Sequence, residues 1–289
     1  MDRLIWVVMF VAIYGSLAVA EPGKGILATP SKLLKFTSTQ KWLPHFWDLA
    51  KQREKQGPLL TVAPPPPNDS EVTKKELSIL AQLQAKRTTE MNTQILVEKD
   101  VNNISYGEIA VDDHEQLFTP IGQLVYSFLF QSMGELFAQK KKFDRVRPVF
   151  LSQASSGSLR TLIETPFHPA YPSGHSFQGH GVALLIAQIA PDQAEAALCD
   201  ATRLAVGREI AGVHYPSDSH AGAELARVYL SQWLKRPQVK MQVAAAAKWW
   251  KEHREEFLAE RAFRKRSLYI DLKPPCSLEG TRRAILDNH

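Results

Sequence analysis

Cysteine is scarce in this chain of 289 residues, and the local cysteine patterns that bind metals or exchange thiols are missing. Cys199 and Cys276 are the only two, and neither belongs to a Cys-x-x-Cys pair. That absence excludes zinc-ribbon and thioredoxin-like centres. In an oxidising compartment two alternatives stay open: one disulfide that ties the C-terminal tail to the helical core, or two free thiols.

The short signatures of several common hydrolases are also missing. The sequence contains no Gly-x-Ser-x-Gly elbow, no Gly-x4-Gly-Lys phosphate loop and no His-Glu-x-x-His metal helix. Each of these patterns carries a specific chemistry, so their absence argues against a serine hydrolase of the α/β type, a P-loop enzyme and a zinc metalloprotease. Ser173, in particular, has no nucleophile signature around it.

Long hydrophobic runs are missing after the first 20 residues, where no segment approaches the roughly 18 apolar residues that cross a bilayer. Residues 4–13 are apolar, and Ala18-Val19-Ala20 is a small-x-small cleavage pattern. We therefore predict a signal peptide over residues 1–20, a periplasmic or secreted protein, and no stable membrane insertion after the leader is cut. Because Asp2 offsets Arg3, an uncleaved anchor is the alternative.

The charge balance does not indicate a nucleic-acid partner, although the formal net charge is +5. The densest basic run follows an acidic stretch, as on a solvated helix face. The basic residues are Arg261, Arg264, Lys265 and Arg266, and the acidic ones are Glu252, Glu255 and Glu256. We expect no nucleic-acid binding, and the sequence leaves a homo-oligomer open.

Patterns typical of strands are scarce and helical patterns are frequent, which predicts an all-α, single-domain helical bundle over residues 21–289. Within it, residues 21–68 are expected to be an irregular N-terminal segment, because they end in a stiff run of four prolines. Later helices are predicted near residues 176–190, 192–213, 219–235 and 239–264.

Two helix starts can be predicted from capping patterns. Thr73 and Glu76 have the spacing of a capping box that opens a helix at Leu77. Thr119 followed by Pro120 predicts the start of a long amphipathic helix, because serine or threonine caps and proline at the first helical position favour helix initiation.

Three clusters near the middle of the chain carry candidate functional residues. They are Lys140 with Arg147, then Ser173-Gly174-His175, then Arg208 with His214 and Asp218. Ser173 can cap the apolar helix that follows it, and the free amides of a helix start bind anions. Arg147 precedes a proline, which favours an extended backbone, and its guanidinium can hold two phosphate oxygens at once.

The third cluster indicates an activated histidine. Pro216 predicts that the helix containing Arg208 ends near His214, so that Asp218 lies in the first turn of the next helix, with Ser217 available as a cap. A carboxylate beside an imidazole fixes which ring nitrogen carries the proton and leaves the other free to attack. Three further histidines flank the clusters and stay unassigned: His168, His180 and His220.

The order and spacing of the clusters resemble the type 2 phosphatidic acid phosphatase superfamily, whose pattern runs Lys-x6-Arg-Pro, Pro-Ser-Gly-His and Ser-Arg-x5-His-x3-Asp. The internal spacings agree, and the one departure is Gly207, where the pattern has serine. The leader, the proline-rich stretch and Tyr171 before the second cluster are similar to the bacterial class A nonspecific acid phosphatases. The resemblance implies a helical bundle of the acid phosphatase and vanadium haloperoxidase type.

For activity, the resemblance implies an exported acid phosphatase that needs no metal or cofactor and hydrolyses phosphomonoesters of broad range through a phosphohistidine. Its partner would be a small phosphorylated substrate. His214 would attack phosphorus, Asp218 would orient it, and His175 would protonate the leaving group. The phosphate-binding residues would be Lys140, Arg147, Ser173, Gly174 and Arg208.

The sequence leaves three alternatives open. The same scaffold and residues hold vanadate in the vanadium-dependent haloperoxidases, although those enzymes tend to be longer. Lipid phosphate or pyrophosphate phosphatases share the superfamily pattern, but they carry several membrane-spanning helices. A noncatalytic anion-binding protein would not need the His214–Asp218 pair.

Overall fold

The computed structural model describes residues 44–99, 105–106, 109–110, 118–154, 159–261, 272 and 274–287. The predicted signal peptide lies outside these residues. The helices are α1 (Pro44–Glu54), α2 (Glu71–Ala85), α3 (Thr89–Val97), α4 (Pro120–Phe143), α5 (Pro148–Ala154), α6 (Gly174–Ile189), α7 (Ala194–Ile210), α8 (Pro216–Trp233), α9 (Pro237–Arg261) and α10 (Leu278–Asp287). Within the described residues, the only strands are β1 (Ser105–Tyr106) and β2 (Ile109–Ala110), an antiparallel pair.

The all-α prediction is confirmed, and the four later helices lie close to their predicted ranges. Helix α6 is central, because it packs against both α7 and α8 and also contacts α4 and α9. Its sequence is apolar nearly all round, as expected for a buried helix. The aromatic rings of Phe128, Phe177, Tyr229 and Trp233 pack together between α4, α6 and α8.

Helix α4 begins as the sequence predicts. The Thr119 hydroxyl accepts a hydrogen bond from the Gly122 amide at 3.1 Å, and Pro120 takes the first helical position. The helix ends at Phe143, and the next residue, Asp144, has a left-handed φ of 43°. The chain therefore leaves the helix immediately before Arg145 and Arg147.

The expectation of an irregular segment over residues 21–68 is wrong for residues 44–54, which form α1. This helix is stabilised by contacts with α4. The ring of Phe46 stacks on that of Phe137 at 4.2 Å between centroids, and Ala50 is fully buried beside them. A local sequence pattern does not predict this helix, because tertiary contacts supply most of the stability of a short helix.

Helix α7 ends at Ile210, four residues before the predicted end near His214. The Gly212 amide donates to the Glu209 carbonyl, and the Val213 amide donates to the Arg208 carbonyl, which is the Schellman pattern. Gly212 has a φ of 76°, the left-handed conformation that this termination requires. Glycine, rather than the proline at 216, therefore stops the helix.

The two cysteines form a disulfide between Cys199 on α7 and Cys276 just before α10, with their Cα atoms 5.0 Å apart. Of the two alternatives for these thiols, the structure has the bridge. Among the described helices, none combines the length and the apolar character that crossing a bilayer requires.

Gly222 allows α8 to approach the start of α6, and we predict that alanine there is destabilising. An added Cβ would lie 2.6 Å from the Ser173 carbonyl oxygen and 2.9 Å from the Phe177 amide nitrogen, and backbone atoms cannot move aside cheaply. Urea denaturation of Gly222→Ala should show a loss of about 1–3 kcal/mol in the free energy of unfolding.

Gly134→Ala on α4 is the matched control, because its Cβ would lie 3.3 Å from the side chain of Arg53, while the nearest backbone atom, the Leu49 carbonyl oxygen, is 3.7 Å away at an ordinary contact distance. It should cost less than Gly222→Ala. Equal losses for the two variants would contradict the close-approach argument.

Candidate active site

The three predicted clusters meet at one place between α4, α6, α7 and α8. The Ser173 amide, at the start of α6, donates to the Asp218 carbonyl at 2.9 Å in the first turn of α8. The Ala170 amide donates to the Arg145 carbonyl, also at 2.9 Å, which links the loop before α6 to the loop after α4. Residues far apart in sequence are thus joined by backbone hydrogen bonds.

The start of α6 has the cap that the sequence predicts. Ser173 has an extended backbone and its hydroxyl oxygen accepts from the Ser176 amide at 3.4 Å. Gly174 is the first helical residue and His175 the second. Because the first amides of a helix have no partner within the helix, this end is suited to an anion.

His214 is held in one tautomer by its two neighbours. Arg147 Nη1 lies 3.0 Å from His214 Nε2, and a guanidinium can only donate, so Nε2 must be the acceptor. Nδ1 therefore carries the proton and donates to Asp218 Oδ2 at 3.1 Å. The lone pair on Nε2 faces a cation, which is the arrangement of a nucleophilic imidazole beside an anion site.

The protonation of this pair follows from burial and charge. Burial, followed by the positive charge of Arg147, holds the pKa of His214 well below its usual value, while Asp218 acts in the opposite direction. Burial alone would raise the pKa of Asp218, but Arg145 and the hydrogen bonds from His214 and Tyr215 lower it to about 2. The pair is thus a neutral imidazole and a carboxylate.

Lys140 is fully buried and its ammonium donates to three backbone carbonyls: Pro169 at 3.0 Å, Ala170 at 3.2 Å and Pro172 at 2.6 Å. Burial and the neighbouring Arg147 lower its pKa well below the usual value. An anion bound here would stabilise the charged form of Lys140.

Arg208 and His175 lie against the end of α3. Arg208 Nη2 donates to the Ile95 carbonyl at 2.9 Å, and His175 Nε2 donates to the Lys99 carbonyl at 3.0 Å. Burial, then the charge of Arg208, lowers the pKa of His175 to about 3. Lys140 and Arg147 depress the pKa of both His175 and His214, which places the two imidazoles in the field of the same cations.

Of the three unassigned histidines, only His168 contacts a cluster residue. Its Nδ1 lies 3.1 Å from Arg147 Nη2, and its backbone carbonyl accepts from Arg147 Nε. His180 is bonded to the Ser176 carbonyl inside α6, and His220 lies 3.5 Å from Arg282.

The expected capping box of Thr73 and Glu76 is wrong. Ser70 caps α2, and its hydroxyl accepts from the Thr73 amide at 3.2 Å. Glu76 instead reaches the start of α8, where its carboxylate accepts from the Ser217 amide at 2.6 Å and the Ser217 hydroxyl at 3.0 Å. Ser217 therefore does not cap α8 as expected, and Tyr215 stands at the cap position.

Sequence reasoning missed Arg145 and the role of Glu76. Arg145 contacts Asp218 at 2.7 Å and Glu76 at 3.0 Å, and its side chain is almost fully buried. The only sequence signal for Arg145 is its position two residues before Arg147. No local sequence pattern predicts its partners, which lie about 70 residues away.

Comparison with known protein families gives a match over the segment that contains this site. The family model of the PAP2 superfamily, the type 2 phosphatidic acid phosphatases, matches residues 120–239, which contain all three clusters. The resemblance predicted from the clusters is thus confirmed.

The chain is also similar to one enzyme sequence and to one solved structure. The chain is 23% identical over 197 residues to a non-specific acid phosphatase of Providencia stuartii, covering 65% of this chain and 78% of that protein. The crystal structure of a bacterial vanadium-dependent iodoperoxidase matches with a TM-score of 0.46 and 15% identity. That match covers 77% of this chain and only 62% of the iodoperoxidase.

The depressed pKa values of His175 and His214 predict that the protein loses stability in mild acid. The unfolded chain binds protons at these imidazoles near pH 6.5, whereas the native state does not until the pH approaches the much lower folded values. The contribution of these two imidazoles to stability is therefore complete above about pH 6.5 and falls as the pH decreases below it. Urea denaturation at pH 5 should give a smaller free energy of unfolding than at pH 7.

His175→Gln removes one of these groups and should make the decrease between pH 7 and pH 5 smaller. The lowered pKa of Asp218 contributes little in this window, because that carboxyl is ionised in both states above pH 5. An equal or greater stability at pH 5 in the unmodified protein would contradict the assignment of neutral buried imidazoles.

Proposed function

We propose that the chain is a phosphatase of the PAP2 superfamily that hydrolyses phosphomonoesters through a phosphohistidine at His214. The observation that carries the proposal is the pairing at His214, whose Nε2 accepts from Arg147 while Nδ1 donates to Asp218. The family match and the similarity to a non-specific acid phosphatase support the same chemistry.

The phosphate group would be bound by fixed positive charge. Lys140 and Arg147 are buried, and in the part of the chain described here neither has a carboxylate within ion-pair distance. Arg208, the Ser173 hydroxyl and the Gly174 amide complete the proposed cradle. A dianionic phosphate would take the place of the carbonyl and imidazole acceptors that these groups now contact.

In the first step, the lone pair of His214 Nε2 attacks phosphorus and the bond from phosphorus to the substrate oxygen breaks. Arg147 leaves Nε2 and binds phosphate oxygens instead. His175 gives its proton to the departing alkoxide, so the products are an alcohol and a phosphohistidine. Asp218 stabilises the positive charge that develops on the His214 ring.

In the second step, His175 takes a proton from water as the water oxygen attacks phosphorus. The bond from phosphorus to Nε2 breaks, and inorganic phosphate is released with His214 neutral again. His175 has a pKa of about 3 in the free protein, too low for an acid at moderate pH. A bound phosphate dianion would raise that pKa, so that the acid forms only when substrate is present.

We also propose that the reaction needs no metal. The fixed cations would neutralise the charge on the phosphate oxygens, as magnesium does in other phosphoryl-transfer enzymes. The proposed cradle would contact only phosphate oxygens, so we expect a broad range of phosphomonoesters. Activity that survives a chelator such as EDTA would agree with metal independence.

We further propose an exported protein, periplasmic or secreted, with a leader over residues 1–20 and one helical domain over residues 21–289. The Cys199–Cys276 disulfide supports this location, because such bridges persist in oxidising compartments. N-terminal sequencing of the exported protein should begin at Glu21.

The central prediction concerns His214→Asn, which keeps a polar side chain but removes the attacking nitrogen. Turnover of p-nitrophenyl phosphate should fall by at least about a thousandfold, because the covalent route is lost. Samples with substrate labelled at phosphorus, quenched in alkaline denaturant because a phosphohistidine hydrolyses in acid, should contain labelled protein for the unmodified chain and none for the variant.

His220→Asn is the matched control, since His220 lies on α8 but contacts Arg282 rather than the proposed cradle. It should keep activity close to that of the unmodified protein. Near-normal turnover by His214→Asn would disprove the mechanism. Halide oxidation after addition of vanadate, without phosphomonoester hydrolysis, would instead favour the haloperoxidase alternative.

A further inference from the structure

Arg145 is a buried cation beside the site that differs from the phosphate-binding cations in its partners. Its side chain is 1% exposed, and the ring of Tyr215 lies 3.9 Å from its guanidinium carbon. Nη1 donates to Asp218 Oδ1 at 2.7 Å and to the Ser217 hydroxyl at 2.6 Å. Nη2 donates to Glu76 Oε2 at 3.0 Å.

These contacts give Arg145 two carboxylates, Asp218 and Glu76. Lys140 and Arg147 instead donate to neutral carbonyls and imidazoles. A cation with two carboxylate partners has little attraction left for a phosphate, whereas cations that contact only neutral groups keep theirs. Arg145 is therefore unsuited to bind substrate, although it lies two residues from Arg147.

The geometry at Asp218 shows what Arg145 can do instead. Oδ1 is held by Arg145, and Oδ2 accepts from both His214 Nδ1 and the Tyr215 amide, at 3.1 and 2.9 Å. A carboxylate held at both oxygens cannot rotate freely. The imidazole that donates to Oδ2 is consequently fixed in its plane.

Glu76 holds the same turn from the other side. Its carboxylate accepts from Arg145, from the Ser217 amide and from the Ser217 hydroxyl. Helix α2 is thereby bonded to the first turn of α8, which carries Asp218. The charge of Glu76 also compensates that of Arg145, so that the group of Arg145, Glu76 and Asp218 has a net charge of −1.

We propose that Arg145 and Glu76 are positioning residues that act through Asp218 to set the orientation and protonation of His214. This inference depends on the proposed function, because it assigns them to the same reaction. Neither residue touches the proposed phosphate position. Arg145 contacts the Asp218 carboxylate directly, and Glu76 acts on it through Arg145 and Ser217.

The two residues carry opposite charges, so their removal should have opposite effects on His214. Loss of the Arg145 charge makes the potential at the His214–Asp218 pair more negative, which favours the protonated imidazole. Loss of the Glu76 charge makes that potential more positive, which favours the neutral imidazole. A residue that only supported the fold would produce no such opposition.

Other charged and titratable groups also face this pair and stay unchanged in the variants. They are Lys140 on α4, Arg147 on the following loop, His168 and Tyr171 before α6, and Tyr215 at the start of α8. Because they are common to all the proteins compared, differences between variants report on Arg145 and Glu76.

The test compares Arg145→Met, Glu76→Gln and the double variant by the pH dependence of kcat/KM for p-nitrophenyl phosphate. The acid limb, where His214 becomes protonated, should move up by about one pH unit in Arg145→Met and down by a similar amount in Glu76→Gln. The double variant should lie between them, near the unmodified protein.

Arg145→Lys keeps the charge but not the forked geometry, so it separates orientation from electrostatics. Its acid limb should stay within a few tenths of a pH unit, while kcat falls about tenfold and KM changes little. The matched contrast is Arg147→Lys, which should mainly raise KM, because Arg147 would contact phosphate oxygens.

A second measurement does not depend on turnover. The His214 ring can be titrated by NMR in protein labelled with ¹⁵N-histidine, using His214→Asn to assign its signals, and the midpoint should move in the same two directions. If the unmodified protein shows no hydrolysis, the proposed function fails, whereas this titration still decides the positioning inference.

Shifts in the same direction for Arg145→Met and Glu76→Gln, or none in either, would overturn the inference. If Arg145→Met does not fold, as judged by circular dichroism, Glu76→Gln and Arg145→Lys decide the question. An unshifted acid limb in Glu76→Gln together with unchanged kcat in Arg145→Lys would then refute it.

Discussion

The carboxylate of Asp218 is the contact on which the site depends. It is fully buried, which is costly for a charged group unless ion pairs and hydrogen bonds replace water. Arg145, His214 and the Tyr215 amide supply them, and the Asp218 backbone carbonyl accepts from Ser173 at the start of α6. One residue thus joins the loop after α4, the turn before α8 and the N-terminal end of α6, so that moving any of these elements would disturb the others.

The site contains two kinds of buried cation, which differ in their partners. We assign one kind to support of the site and the other to the proposed phosphate binding. Arg145 is neutralised by carboxylates and stabilises the fold, whereas Lys140 and Arg147 are buried against carbonyl dipoles that satisfy their hydrogen bonds without cancelling their charge. Such an arrangement costs stability, as functional sites commonly do. A bound anion would recover that cost, so the phosphate binding that we propose and the cost in stability would have the same cause.

The sequence predicts those features of the site that depend on residues close together in the chain. The cap at Ser173, the cap at Thr119 and the place of Asp218 in the first turn of α8 depend on neighbouring residues, and each is found. The helix at residues 44–54 and the partners of Arg145 depend on contacts between distant segments, and no local pattern carries them. Glu76 illustrates the difference, because its spacing from Thr73 fits a capping box, while the competing partners at Arg145 and Ser217 lie about 70 and 140 residues away.

Several supports of the site lie outside the segment that matches the PAP2 superfamily, residues 120–239, although Arg145 lies inside it. Glu76 on α2 holds the first turn of α8. On the other side, Arg282 of α10 forms a buried two-bond ion pair with Glu209 at 2.6 and 2.8 Å, next to Arg208, and the disulfide at Cys276 ties the same C-terminal segment to α7. Glu209 and Arg208 are adjacent on α7 and take different partners, so fixing Glu209 against α10 also fixes where Arg208 points. The matched segment therefore carries the proposed chemistry, while its geometry depends on helices before and after it.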